Sequence, residues 1–190
     1  MSPGADGTFV LTEPELLPDT EYGFSIDGGP ALPDPCSHYQ PAGVHGLSKW
    51  VSSAFEWTDA GFRPTPLQFA VIYELHVGTF ARDGTLDGVI ERLSHLKRLG
   101  ITHLEIMPVA QFPGHRGWGY DGVDLYAPHA SYGGPVALKR LVNACHTQGL
   151  SVILDVVYNH FGPDGNYLTQ FGPYLKASIV TPWGATVNFD

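Results

Sequence analysis

Twice in this chain an amphipathic stretch ends on a glycine and runs straight into an apolar one: KRLG into ITHLEIMPV, and HTQG into LSVILDVVY. The first amphipathic stretch, residues 85–100, puts Leu86, Val89, Ile90, Leu93 and Leu96 on one helical stripe, with Thr85 as N-cap and Gly100 just past the end. The second, 133–149, has Pro135 at its first position, Gly149 after its last, and Leu138, Leu141, Val142 and Cys145 facing inward. With FAVIYELHV (69–77) ahead of them, the order is strand, helix, strand, helix, strand. Apolar strands joined by short helix-to-strand turns imply an α/β fold, a parallel sheet covered by helices. Two architectures fit: an open doubly wound sheet or a (β/α) barrel. The first strand-to-helix turn, GTFARDGT, carries no G-x-G-x-x-G, which disfavours a dinucleotide-binding sheet. Both architectures place their chemistry at the C-terminal ends of the strands, where the long polar loops of this sequence fall.

Residues 1–66 read differently. Short β-like stretches (TFVL, EYGFSI) alternate with Gly, Pro and Asp and no good helix appears, so antiparallel, turn-rich structure is expected. RPTPLQ (63–68) separates the two rhythms, giving expected units at 1–66 and 67–190. A complete barrel takes about 250 residues, so on the barrel reading the second unit supplies three of eight strands.

A hydrophobic fraction of 43% allows a sizeable core. Nineteen acidic residues against ten Lys and Arg, with no basic cluster, exclude nucleic acid and anionic membrane surfaces as expected partners. Cys36 and Cys145 lie far apart and match no metal spacing, which reads as free thiols in a reducing compartment, with one long-range disulfide as the alternative. The amino terminus lacks a basic segment followed by an apolar one, and no window approaches about 18 consecutive apolar residues. A cytoplasmic, soluble protein is expected.

Three segments at strand ends could carry chemistry: ELHVGTF (74–80), the loop 111–134, and DVVYNHFGPDGNY (155–167). They are rich in Trp, Tyr, His, Asn and Asp and poor in lysine. Aromatic plates beside neutral and acidic hydrogen-bonding groups suit a sugar, which has apolar faces and a hydroxylated rim. His76, His115, His129 and His160 form no H-x-x-x-H or H-E-x-x-H pair, so no metal and no cofactor are expected. Asp155 and His160 differ by an odd number and reach one site only if the strand ends between them. Taken alone, Asp155 also fits a buried carboxylate paired with an arginine or a backbone donor, and Tyr158 and Asn159 fit packing and loop capping. Glu74 and Glu105 read as satisfied structural carboxylates.

DVVYNH resembles the first signature region of the α-amylase superfamily of glycoside hydrolases, and the loop with GYD and YAP is similar to that superfamily's second strand-to-helix loop. VIYELHVGTF, LGITHLEIMPV, GHRGWGYDGVDLYAPHASYGGP, LDVVYNHFGPDGNYL and TPWGATVNFD most resemble the malto-oligosyltrehalose trehalohydrolase family, from about residue 20 onwards. FSIDGGPALPDPCSHYQPAGVHGLS looks like the end of an immunoglobulin-like β-domain. The resemblance implies a partial (β/α)8 TIM barrel preceded by that domain, and hydrolysis of the α-1,4 bond next to the terminal trehalose of maltooligosyl trehalose. It implies that Asp155 supports the catalytic centre, that His160 hydrogen-bonds the sugar at the cleavage subsite and that Tyr120 stacks on it. Asp121 follows in the same motif, and Trp118 lines the groove. Asn159 matches a position that binds calcium in some amylases, but too few oxygen ligands gather to expect calcium. The family's three catalytic carboxylates follow its fourth, fifth and seventh strands, so the chain is expected to hold none of them and to be inactive and poorly stable alone. A branching or debranching α-glucan enzyme and a non-catalytic carbohydrate-binding module are the alternatives.

Overall fold

Three parallel strands, Ile72–Leu75, His103–Ile106 and Ser151–Leu154, form one sheet with His103–Ile106 in the middle. They are in register, Glu74 beside Glu105 beside Ile153 and Leu75 beside Ile106 beside Leu154. The computed structural model describes residues 1–5, 8–12 and 16–189. Asp6 and Gly7, Glu13 to Glu15 in the expected first unit, and Asp190, the last residue of TPWGATVNFD, lie outside the described residues.

The strands are shorter than their apolar runs. Leu67–Phe69 forms a 3-10 turn before the first, and Pro108, which has no N–H to donate, follows the second. The first strand stops at Leu75, and His76 opens a short helix, Val77–Phe80. The third keeps one more ladder bond, from the Asp155 N–H to the Ile106 carbonyl (2.9 Å), and then leaves the sheet.

Thr85 caps the next helix as expected, its hydroxyl accepting from the Gly88 N–H at 3.0 Å. The single expected helix is two, Leu86–Ile90 and Leu93–Arg98. Three-residue-spaced bonds, Arg92 N–H to Val89 and His95 N–H to Arg92, tighten the chain between them. The stripe survives the break, with Leu86, Val89, Leu93 and Leu96 fully buried. Helix Gly134–Thr147 has Pro135 one residue inside its start. Its buried stripe is Gly134, Ala137, Leu141 and Cys145, spaced three and four apart. Val142, expected inward, lies about 100° from Leu141 around the helix and outside the buried core.

These four helices pack on one sheet face, where Leu75, Leu104 and Ile106 are buried and Tyr73 and Val152 pack against them. The opposite face carries Ile72, Glu74, His103, Glu105, Ser151, Ile153 and Asp155 by strand alternation; His103 and Ser151, at its start, are buried and the others are not. The long loop after the second strand is more ordered than expected. Ala110–Gln111 pairs antiparallel with Asp124–Pro128, and Ala130–Tyr132 forms a 3-10 turn ahead of the long helix. Beyond Asn166 come a short helix, Leu168–Phe171, and an antiparallel hairpin, Leu175–Thr181 with Gly184–Val187.

In residues 1–66 the described ladders are short and antiparallel, as expected: Ser2–Pro3 with Phe9–Val10, Glu21–Tyr22 with Ser48–Lys49, and Phe24–Ser25 with Ala31–Leu32. Residues 52–62 run along the long helix. Phe62 stacks on His146 (4.1 Å between ring centroids), Asp59 meets His146 Nδ1 at 2.6 Å, and Asn143 Oδ1 accepts from the Thr58 N–H. Cys36 is exposed, whereas Cys145 is in the core, where burial pushes its thiol up to about 12. Among the described residues no helix is long and apolar enough to cross a membrane.

Candidate carbohydrate site

The chain leaves the third strand at Asp155 and turns, and this end lets Asp155 and His160 share a site. Two loops meet above the sheet. His160 Nε2 lies 3.0 Å from the Tyr120 carbonyl oxygen, and the Gly162 N–H donates to the Gly122 carbonyl at 3.1 Å. A carbonyl only accepts, so Nε2 carries the proton. His160 Nδ1 is 3.0 Å from Asn159 Oδ1. That contact suits the protonated ring; the neutral ring needs the Asn159 amide turned so that its nitrogen donates.

Glycines permit the approach. A Cβ on Gly162 would fall 2.2 Å from the Asp121 carbonyl oxygen. Gly119 has a φ of +89°, and a Cβ there would fall 2.1 Å from the Pro108 carbonyl, so this residue seats the loop on the end of the middle strand.

Tyr120, Asp121, Asp155 and His160 line one cavity of about 1090 Å³ with Asn159 and Trp183. The Asp155 side chain is half-buried and has no hydrogen-bond partner among the described residues, so neither an arginine nor a backbone donor claims it. Glu74 and Glu105 are likewise without a side-chain partner among the described residues, which corrects their reading as satisfied carboxylates. They face the open side of the sheet, where the helices supply nothing to pair with.

Trp118 is separate from the other four. It lines a second cavity, of about 660 Å³, with His76, Arg82 and Arg116. His76 and Tyr132 hold its loop: His76 Nε2 is 2.8 Å from the Gly117 carbonyl oxygen, and the Tyr132 hydroxyl is 3.0 Å from that nitrogen. Among the described residues no group of His, Cys, Asp and Glu gathers that could hold a metal ion.

Beneath the loop is a layer of buried polar groups. The Asp124 carboxyl packs against the Gln40 amide, and burial pushes it up to about 7. Asp124 Oδ2 and Gln40 Nε2 each lack a well-aligned hydrogen bond. His129 Nδ1 accepts from the Ser131 N–H at 3.0 Å with its ring 3.9 Å from Phe112, and burial pushes it down to about 4.

Sequence reasoning missed Trp183, which stacks on His160 at 6.1 Å from the turn of the last hairpin. It missed the Gly119 and Gly162 contacts and the His76–Tyr132 clamp as well. The glycine spacing in GWGYDG was the available signal for the loop. Nothing local to TPWG pointed to His160.

A family model, "Alpha amylase, catalytic domain", matches residues 51–176. The chain belongs to the α-amylase family. Its α/β portion is therefore part of an α-amylase catalytic domain. This α-amylase family member is 52% identical over 184 residues to the malto-oligosyltrehalose trehalohydrolase of Saccharolobus solfataricus, a match covering 97% of the chain and 33% of that protein. It spans about a third of the length of the curated relatives it matches. The crystal structure of a provisionally assigned α-amylase from Salmonella typhimurium superposes with a TM-score of 0.89 and 46% identity, over 92% of this chain and 30% of that one. The pullulanase of Paenibacillus barengoltzii, solved with maltohexaose and α-cyclodextrin, superposes with a TM-score of 0.69 and 26% identity, over 82% of this chain and 32% of that one.

Proposed function

We propose that these residues form the first part of an α-amylase-type (β/α)8 barrel, about three strands at 67–190, preceded by the end of an immunoglobulin-like domain at 1–66. The protein they serve hydrolyses the α-1,4 bond next to the terminal trehalose of maltooligosyl trehalose, releasing trehalose. The observation that carries this reading is the joining of Tyr120 to His160 above a free Asp155 carboxylate, in a chain 52% identical to a trehalohydrolase. Helices on one sheet face only suit a barrel, whose other face is interior, better than a doubly wound sheet covered on both.

Tyr120 offers an aromatic plate to the sugar at the cleavage subsite, His160 a hydrogen bond to its rim, and Asp155 a negative charge that orders the centre, with Asp121 beside them. Retaining glycosidases need a nucleophile and an acid/base carboxylate about 5–5.5 Å apart. We assign neither role to these 190 residues, because Glu74 and Glu105 are still in the ladder, each one residue before its strand ends, rather than on the loops beyond, where substrate binds. The substrate is an α-glucan, and the exposed Cys36 thiol fits a reducing cytoplasm.

A chimera in which residues 1–190 replace the matching third of the Saccharolobus solfataricus enzyme tests this. It is expected to release trehalose from maltooligosyl trehalose, with His160→Ala lowering kcat/KM by about a hundredfold. The chain alone is expected to release none. Turnover by the chain alone, or no release by a folded chimera, would overturn the reading.

A further inference from the structure

The loop that carries His160 runs on through Pro163, Asp164, Gly165, Asn166 and Tyr167 to the short helix that begins at Leu168. Its first half is tied to the loop after the middle strand, by the His160–Tyr120 and Gly162–Gly122 contacts. Its second half is tied to His45, which lies 122 residues before Tyr167 in the chain.

His45 grips the loop at two points with one ring. Nε2 lies 3.0 Å from Asp164 Oδ1, and Nδ1 lies 2.7 Å from the Tyr167 hydroxyl. A carboxylate only accepts, so Nε2 carries the proton, and in the neutral ring Nδ1 accepts from the tyrosine. The two rings also meet edge to face, with 6.0 Å between centroids. The backbone beneath is fitted to this grip. Val44 is buried, Gly165 has a φ of +79°, and a Cβ on Gly165 would run into the Val44 side chain. Phe24 meets Phe171 edge-on at 6.2 Å where the segment enters its helix.

The His45 side chain is 57% exposed, so its two contacts serve the loop rather than fill a core. Among the described residues, the polar side-chain contacts that reach residues 163–168 from elsewhere in the chain are these two. Pro163 stands between Asp164 and Gly162 and has a fixed φ, which makes the link from the grip to the His160 end of the loop a stiff one.

We infer that His45 is a positioning residue for the candidate site: it holds the segment beyond Gly162 so that His160 stays on the Tyr120 carbonyl. The effect on turnover rests on the α-glucan reading above, whereas the holding of the loop does not.

Hydrogen–deuterium exchange and hydrolysis kinetics of the chimera described above test it together. His45→Ala is expected to speed exchange across residues 159–168 about fivefold and to lower kcat/KM for maltooligosyl trehalose by a similar factor. His45→Gln, which still donates to Asp164, is expected to recover part of both. Lys139→Ala is the control: Lys139 donates to the Ser53 carbonyl at 3.0 Å, far from this loop in sequence, and its loss should change neither readout. In a His160→Ala background, His45→Ala is expected to cost no further activity, because the group it positions is gone. Unchanged exchange across 159–168 overturns the grip. A kinetic cost of His45→Ala that persists without His160 overturns the positioning role. Faster exchange in a folded chimera that releases no trehalose overturns the α-glucan reading and leaves the grip standing.

Discussion

Glu74 and Glu105 are register neighbours in the parallel ladder, on the sheet face that no helix among the described residues covers. Like charges side by side on one face repel, and nothing among the described residues neutralises either. Glu105→Gln is therefore expected to stabilise the chain, by about 0.2–1 kcal/mol. The gain should fade in about 1 M salt, where screening acts within about 3 Å. Urea denaturation at low and high salt measures it, and a loss of stability would show that Glu105 is held by a partner after all.

The junction between the two site loops depends on the absence of a side chain at residue 162. A methyl there meets backbone, the Asp121 carbonyl, which cannot rotate aside. Gly162→Ala is expected to cost about 1–3 kcal/mol and to weaken maltose binding by separating His160 from the Tyr120 carbonyl. Gly61, where an added Cβ meets nothing within 4 Å, is the control. Gly61→Ala should change neither the urea midpoint nor binding.

The buried Asp124 carboxyl links stability to pH. Its folded value is about 7 against an ordinary 3.8, because burial disfavours the charged form. Between these values the unfolded chain has lost a proton that the folded chain keeps, so stability falls as pH rises through the window and levels off above about 7. His129 acts oppositely. Held down to about 4 from 6.5, it leaves the unfolded chain binding the extra proton, so stability rises between those values. The two slopes oppose each other from pH 4 to 6.5, and Asp124 acts alone just above. Asp124→Asn is expected to remove the falling slope and leave the rising one. Urea midpoints at pH 5, 6, 7 and 8 check this, and a parallel shift of the whole profile would contradict it.

What could be read from the sequence was whatever burial imprints with a period. Leu86, Val89, Leu93 and Leu96 declared their stripe because only the buried side of a helix needs apolar residues. The break at Glu91 and Arg92 left no trace, since the stripe passes through it. Strand ends were overrun for a related reason: Val156 and Tyr158 are apolar or aromatic but exposed, past the last ladder bond. At the site, the residue types at the strand ends suited a sugar, and it was the resemblance of DVVYNH and the GYD loop to the α-amylase superfamily that singled out Tyr120, Asp121, Asp155 and His160, which line one cavity. Trp118 came to the groove through the resemblance, and the structure has it lining a cavity of its own, since side-chain direction in an irregular loop follows no strand alternation. Trp183 reaches His160 across more than twenty residues of chain, a proximity that only the fold creates.

Among the described residues the sheet has two edges, and the strands Ile72–Leu75 and Ser151–Leu154 each have a neighbour on one side only. Their outer rows of backbone donors and acceptors are positioned to take on further strands in parallel. If strands added there curve round to meet, the surface bearing Glu74, Glu105 and Asp155 becomes an inner wall. Confined there with less water between them, the same carboxylates would feel one another, and any cation or proton that enters, more strongly than they do on the open face.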